Sequence, residues 1–260
     1  MKLTLLGLSF LLTLHVIAQK DTLPSAVYSW NKAKVQKVGN IERRQVLNGS
    51  TLDLSSLEIH TSTLLPGETN HPLKASPEAE ELIIIKDGTV KATVEDSTKT
   101  LGAGGLILLI AGDKQSMTNT SDKPVTYFVL VYKSKDGLNA ARAKTGGGSF
   151  MKDWKDYLTL QTDKGQSRPI FDRPSSMFKR FDVHATSLKP GVASHPPHTH
   201  RAEEIILMIE GNGDMQLGDT FHQTEPGDVV LVNSMLPHAI KNKSNKMISY
   251  FAIQWHSNAE

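Results

Sequence analysis

Three histidines and two glutamates stand within the segment SHPPHTHRAEE, residues 194–204. His198 and His200 are separated by one residue, so an extended chain points both imidazoles to the same side. Glu204 follows four residues after His200, and His238 lies 34 residues beyond Glu204, after a Pro-Gly-Asp turn and an apolar run. Three imidazole nitrogens and a carboxylate suit a six-coordinate Mn, Fe, Ni or Co ion with two open positions, and Zn would also accept them. These four residues are therefore predicted to bind a divalent metal.

Three polar neighbours of these ligands are interpreted as bystanders. His195 is expected at the surface, restrained by the two prolines that follow it, with a place in the pocket wall as the alternative. Arg201 is expected to point outward, because it lies next to His200 along an extended chain. Glu203 is expected to be solvated.

The chain contains an internal repeat. The match is carried by two pairs of segments, LEIHTSTLLPG at 57–67 with FDVHATSLKPG at 181–191, and EELIIIKDG at 80–88 with EEIILMIEG at 203–211. A repeat of this length indicates two similar domains.

The first half keeps this pattern without the imidazoles. Ala75, Pro77 and Gln115 stand at the positions of the three histidine ligands, and only Glu81 remains in register with its counterpart, Glu204. Oxygen ligands without an imidazole make a poor transition-metal site. The first domain is therefore expected to be empty and to serve packing against the second.

Each half is a series of short apolar runs rich in Ile, Leu, Val, Phe and Tyr, separated by Pro-Gly, Asp-Gly and Gly-Asn-Gly turns. This pattern predicts antiparallel strands, and hence an all-β fold of two similar barrels in tandem. On the last strand, residues 250–256 alternate, and either set of side chains could face the barrel interior.

The stretch DGLNAARAK is followed by TGGGS, so residues 136–150 are predicted to link an N-terminal domain at 19–135 to a C-terminal domain at 151–260. Residues 1–18 carry one basic residue and then an apolar run that ends in Val16-Ile17-Ala18, as in a signal peptide. The run is too short to span a bilayer, which takes about 20 apolar residues. A periplasmic or secreted location, with no membrane attachment after cleavage, is expected.

Charge and cysteine content narrow the classes of protein to which this chain can belong. The formal net charge is +2, from 29 basic and 27 acidic residues that are scattered along the chain, which argues against a nucleic-acid partner. The sequence has no cysteine, so it contains neither disulfides nor a thiol nucleophile.

The spacing of the four ligands, together with Gly211, Pro226-Gly227-Asp228 and Pro237, resembles the two motifs of the cupin superfamily. With its repeat, the chain is similar to a bicupin. The resemblance implies two tandem double-stranded β-helix (jelly-roll) barrels, one divalent metal, Mn or Fe before Ni, Co or Zn, in the C-terminal barrel, a structural role for Asn242, and a possible homodimer. Gly191 precedes His198 by one residue more than is usual in that superfamily.

Enzymes in the superfamily with these ligands include dioxygenases, decarboxylases and isomerases. We therefore expect a metal enzyme acting on a hydroxy acid, a keto acid or a sugar by direct chelation. A non-catalytic module that binds a small molecule or a metal is the alternative. A partial resemblance to (S)-ureidoglycine aminohydrolase, whose ligands differ at three of the four positions, gives a hydrolase as a further alternative. No catalytic residue beyond the metal ligands is predicted.

Overall fold

The computed structural model describes residues 22–260, so the predicted signal peptide lies outside the described residues. Strands dominate this range, with one short α-helix and two single-turn 3-10 helices. None of the helices within residues 22–260 is long and apolar enough to cross a membrane.

The strands fall into two similar series. The first comprises β1 Ala26–Tyr28, β2 Lys34–Val38, β3 Ile41–Gly49, β4 Leu54–Leu64, β5 Lys74–Ala75, β6 Glu80–Asp87, β7 Thr89–Val94, β8 Ser97–Gly102, β9 Leu106–Leu109, β10 Lys114–Thr118 and β11 Val125–Ser134. After helix α1, Ala140–Thr145, the second comprises β12 Phe150–Lys152, β13 Leu160–Thr162, β14 Gly165–Arg173, β15 Arg180–Leu188, β16 Glu203–Glu210, β17 Gly213–Leu217, β18 Thr220–Thr224, β19 Val229–Val232, β20 His238–Lys241 and β21 Ile248–His256.

Each half combines one large and one small antiparallel sheet. The first half has a seven-stranded sheet, β12-β9-β6-β11-β4-β3-β2, opposite a four-stranded sheet, β5-β10-β7-β8. The second half has a seven-stranded sheet, β1-β19-β16-β21-β15-β14-β13, opposite a three-stranded sheet, β18-β17-β20. The prediction of two tandem all-β jelly-roll barrels is confirmed.

The halves exchange two short strands. β1 pairs with β19 in the second barrel, and β12 pairs with β9 in the first. The tryptophan that follows each exchanged strand covers a glycine of the other barrel: Trp30 lies on Gly227, and Trp154 lies on Gly104. The sheets therefore cross the boundaries predicted at 135 and 151, and helix α1 lies within the predicted linker.

Buried apolar side chains within residues 22–260 form three clusters. One fills the first barrel around Ile83 and Met117, and one fills part of the second around Ile206 and Ile240. The largest lies between the two seven-stranded sheets, because strand alternation points every other residue out of the barrels. On β21, Phe251, Ile253 and Trp255 join this shared cluster, whereas Tyr250, Ala252 and Gln254 face the interior of the second barrel.

Candidate metal centre

The four predicted ligands come from three parts of the second barrel. Glu204 is the second residue of β16, and His238 is the first residue of β20. His198 and His200 lie in the loop before β16, and the backbone of His198 pairs with His238 across a bridge, with N···O distances of 3.3 and 3.1 Å. The bridge fixes the height at which two of the imidazoles enter the barrel.

These side chains converge on one point. The ring centroids of His198 and His200 each lie 4.8 Å from that of His238, and the nitrogens that could bind a metal all lie within 4.8 Å of one another. Glu204 Oε2 lies 3.1 Å from His238 Nε2 and 3.6 Å from His200 Nε2. Among the described residues, the three histidines form a group that could hold a metal ion.

Backbone contacts orient two of the imidazoles. His200 Nδ1 lies 2.8 Å from the Ala202 carbonyl oxygen, and His238 Nδ1 lies 2.8 Å from that of Leu236. A carbonyl can only accept, so Nδ1 carries the proton in each ring and the Nε2 lone pair faces the centre. His238 Nε2 is buried and makes no hydrogen bond, although Glu204 Oε2 lies 3.1 Å away, so two acceptor atoms face each other. A buried acceptor of this kind fits a metal ligand.

The electrostatics keep the carboxylate charged. Burial would raise the pKa of Glu204, but the imidazoles of His200 and His238, when protonated, outweigh burial and lower the pKa to about 2. The Glu204 carboxylate raises the pKa of His200, because it would accept a hydrogen bond from the protonated ring. Burial and the neighbouring imidazoles lower the pKa of His198, which keeps that ring in the neutral form that a metal requires.

His195 belongs to the site, so its interpretation as a surface residue is wrong and the pocket-wall alternative is correct. Its ring packs edge-on against His198 with centroids 4.0 Å apart, and the two Nδ1 atoms are 3.0 Å apart. Burial lowers the pKa of His195. His195 is half-buried and lines the cavity.

Glu203 is buried, contrary to the expectation that it is solvated. Its carboxylate accepts hydrogen bonds from the Thr51 hydroxyl at 2.6 Å, from the backbone of Leu52 and Asp53 at 3.0 Å each, and from Trp255 Nε1 at 3.2 Å. Three of these partners lie about 150 residues away in the first half, where sequence gives no local signal for them. Glu203 thus anchors the start of β16 to the first barrel.

Arg201 is absent from the cavity lining, in agreement with the expectation that it points outward, but it is held by a partner and is not free in solvent. It forms a two-pronged ion pair with Asp53, with N···O distances of 2.8 and 2.9 Å. Residues of the first half therefore contact the chain at Arg201 and Glu203, between the ligands His200 and Glu204.

Two amides complete the surroundings. Gln254 Nε2 donates to Glu204 Oε1 at 3.2 Å, a contact that the sequence did not indicate. Asn242 is buried and donates to the carbonyls of Leu188 at 2.9 Å and Lys246 at 2.7 Å, which is the structural role that the resemblance implied.

The centre opens into a cavity of about 370 Å³ inside the second barrel. Its walls mix apolar side chains with hydroxyls and amides, including Ser167, Thr186, Ile206, Met215, Ile240, Tyr250 and Gln254. Lys164 also lines it, and its Nζ donates to the Ser194 carbonyl at 2.5 Å. The cavity offers room and hydrogen-bond donors for a small, oxygen-rich molecule.

The corresponding positions of the first barrel form a different set of contacts. Glu81 accepts a hydrogen bond from the Ser76 hydroxyl at 2.6 Å, and Gln115 Nε2 lies 2.9 Å from His71 Nε2. Ala75 and Pro77, at the positions of His198 and His200, have no side-chain group that binds a metal.

Comparisons with known proteins agree with this architecture. Among curated proteins, the chain is 22% identical over 170 residues to the "Probable (S)-ureidoglycine aminohydrolase" of Oryza sativa subsp. japonica, covering 61% of this chain and 49% of the rice protein. It is 24% identical over 93 residues to (S)-ureidoglycine aminohydrolase of Arabidopsis thaliana, covering 32% and 30%. The matches span at most about half the length of these relatives.

Solved structures share the fold. The formate complex of Lactobacillus farciminis oxalate decarboxylase superposes with a TM-score of 0.69 and 14% identity, covering 92% of this chain and 88% of that one. Protein Ylba from E. coli gives a TM-score of 0.69 and 15% identity, covering 88% and 89%. At such identities the likeness concerns the fold alone.

The profile of the Cupin domain matches the chain twice, at residues 60–132 and 185–254. Each match covers the small sheet and the central strands of the large sheet of one barrel. The chain belongs to the cupin family and is a bicupin.

Proposed function

We propose that this protein is an exported metal-dependent enzyme that acts on a small hydroxy acid, keto acid or sugar in its second barrel. The observation that carries the proposal is the convergence of three imidazoles and the buried Glu204 carboxylate beside a cavity with mixed polar and apolar walls. Dioxygenation, decarboxylation and isomerisation are the reaction types that such a site supports.

His198, His200, Glu204 and His238 would hold the ion, with Mn or Fe favoured by the mixed nitrogen and oxygen set. A divalent metal bound there supplies Lewis acidity and open coordination positions for oxygen ligands. One anionic ligand among the four leaves a doubly charged ion with a net positive charge, which favours an anionic substrate.

The protein side chains then position the substrate. Lys164 places a cation on the cavity wall, where it can pair with a carboxylate. Burial raises the pKa of Tyr250, so its hydroxyl stays protonated and can donate to a substrate oxygen. Ile206, Met215 and Ile240 contribute apolar surface that limits access of water.

The relatives guide the choice of substrates to test. One structural relative is an oxalate decarboxylase crystallised with formate, and the curated relatives are named ureidoglycine aminohydrolases. Oxalate and ureidoglycine therefore belong in a panel with hydroxy acids, keto acids and sugars. The readouts are oxygen uptake, release of carbon dioxide and release of ammonia.

The deciding experiment measures metal content first. The chain without residues 1–18 is purified as wild type, as the double variant His198→Ala/His200→Ala, and as His184→Ala, which changes a cavity histidine outside the ligand group. We expect about one metal equivalent in the wild type and in His184→Ala, and a loss in the double variant. A full equivalent in the double variant would refute the site. Metal binding without turnover of any panel member would favour a binding module.

A further inference from the structure

The first barrel also contains a cavity, although its side chains are not a metal set. Its volume is about 340 Å³, close to the 370 Å³ of the second barrel. Equivalent positions line both: His60 and Tyr127 in the first barrel correspond to His184 and Tyr250 in the second. The first barrel has therefore lost the ligands but has not been filled.

Polar side chains inside this cavity are organised. Gln115, 4% exposed, lies with Nε2 2.9 Å from His71 Nε2, and its Oε1 accepts from Asn70 Nδ2 at 3.3 Å. Glu81, 9% exposed, accepts from Ser76 at 2.6 Å. Burying such groups costs free energy that apolar packing would avoid, so a barrel used only for packing would not need them.

Two side-chain cations line the first cavity and give it positive charge. Arg43 lines the first cavity at the position of Ser167, and Glu58 and His60 both contact its Nη2, which orients the guanidinium. Lys74 lines the cavity as well and forms no ion pair within residues 22–260. Both cations offer donors suited to a carboxylate.

The other polar side chains that line the cavity determine which chemical groups a ligand there would carry. Asn70, Gln115 and Tyr127 can donate hydrogen bonds, whereas Glu81 in its ionised form can only accept. Val129, Val131 and Met117 supply an apolar wall. A complementary molecule is rich in acceptors, carries at least one hydroxyl for Glu81, and has a short carbon skeleton.

We propose that the first barrel binds a small hydroxylated carboxylic acid without a metal, with the carboxylate facing Arg43 and Lys74 and a hydroxyl facing Glu81. This site is separate from the metal centre of the second barrel. It makes the protein a two-site molecule in which one barrel binds through side-chain cations and the other through a metal.

The test is calorimetric titration of the chelator-treated chain with L-lactate, L-malate and D-gluconate, and with the uncharged analogues lactamide and glucose. Each is repeated on His198→Ala/His200→Ala, Lys74→Gln, Gln115→Leu and the control Lys91→Gln, which changes an exposed lysine on β7. We expect one acid to bind with equal affinity to the wild type, the double histidine variant and Lys91→Gln, and at least tenfold more weakly to Lys74→Gln and Gln115→Leu.

Several results would overturn the proposal: no acid binds, the matched uncharged analogue binds equally well, or Lys74→Gln binds as the wild type does. Loss of binding in the double histidine variant alone would place the acid in the second barrel. Lys74 is exposed, so its variant tests the site even if Gln115→Leu fails to fold. The metal content of the second barrel is measured separately, which keeps a failure of this site distinct from a failure of the metal centre.

Discussion

Adjacent glutamates have different tasks in this molecule because successive side chains of a strand point to opposite faces. On β16, Glu204 points into the barrel beside the histidines, and Glu203 points out to the loop at Thr51. On β6, Glu81 points into the first cavity, and Glu80 accepts hydrogen bonds from the backbone and hydroxyl of Ser176. One residue of each pair serves a cavity and the other joins the barrels.

The contact between Gln254 and Glu204 predicts a measurable effect on metal binding. Gln254→Leu removes the donor to Glu204 Oε1, so the carboxylate loses a restraint on its orientation. Loss of such an outer contact lowers metal affinity by about 10–100-fold. Gln166→Leu is the control, because Gln166 lines the same cavity but accepts a hydrogen bond from Arg168. Competition titration with Mn²⁺ measures both, and equal affinities would contradict the role given to Gln254.

The candidate ligands could be predicted from sequence because their spacing follows strand geometry and the repeat supplied an internal reference. The contacts of Arg201 and Glu203 could not be predicted, because their partners include residues 51–53 of the first half. Strand alternation predicts that Gln254 and Trp255 point to opposite faces of β21, but not which of them faces the barrel interior. The packing of Trp255 into the shared cluster shows that Gln254 faces the interior. The error at Glu203 concerns a contact between the halves, for which a single sequence has no local signal, whereas the error at His195 concerns the cavity wall within the second barrel.

At the scale of elements, the junction between β6 and the loop at Ser176 predicts a pH dependence of stability. Burial raises the pKa of Glu80 above its ordinary value of 4.5, against the opposing hydrogen bonds from Ser176 and Ser175, and its Oε2 is buried without a hydrogen-bond partner. A raised pKa in the folded state means that the stabilising contribution is complete below pH 4.5 and is lost as the pH rises through the folded-state pKa.

Glu80→Gln should therefore weaken the decline in the free energy of unfolding from about pH 4.5 upward. Urea denaturation of the wild type and the variant across this range measures the difference in slope. Glu210→Gln, which changes an exposed residue at the end of β16, should keep the dependence of the wild type. If Glu80→Gln keeps that dependence too, the buried carboxyl is not its source.

The turn before β9 provides a second prediction at this scale. Gly104 has φ +79°, and a Cβ there would lie 2.4 Å from Trp154 Cε3. Gly104→Ala combines backbone strain of about 1–2 kcal/mol with overpacking of about 1–3 kcal/mol. Gly67→Ala is the control. At φ +81° and with no atom within 4 Å of the new Cβ, it has the backbone strain but no overpacking. Chemical denaturation should show the larger loss for Gly104→Ala, and equal losses would show that Trp154 yields without cost.

At the scale of the whole molecule, the exchange is reciprocal. β1 and Trp30 complete the second barrel, as β12 and Trp154 complete the first. The repeat predicted two barrels, but the exchange could not be predicted, because three-residue strands carry no periodic signal and their partners lie far away in sequence. The shared apolar cluster, which includes Phe128, Phe181 and Phe251, then seals the two large sheets together.

This arrangement predicts that neither barrel folds alone. A fragment of residues 148–260 lacks β1, so the edge of β19 loses its pairing and Gly227 loses the cover of Trp30. It would also expose Phe251, Ile253 and Trp255, which are 0–2% exposed in the whole chain. An apolar face of that kind beside an open strand edge favours aggregation.

Circular dichroism and size-exclusion chromatography should show an unfolded or aggregated fragment. Mixing it with residues 22–147 during refolding should restore a monomer-sized complex, because β12 then pairs with β9 and β1 with β19. A stable, monomeric 148–260 fragment would show that the exchange and the shared cluster are dispensable for the second barrel.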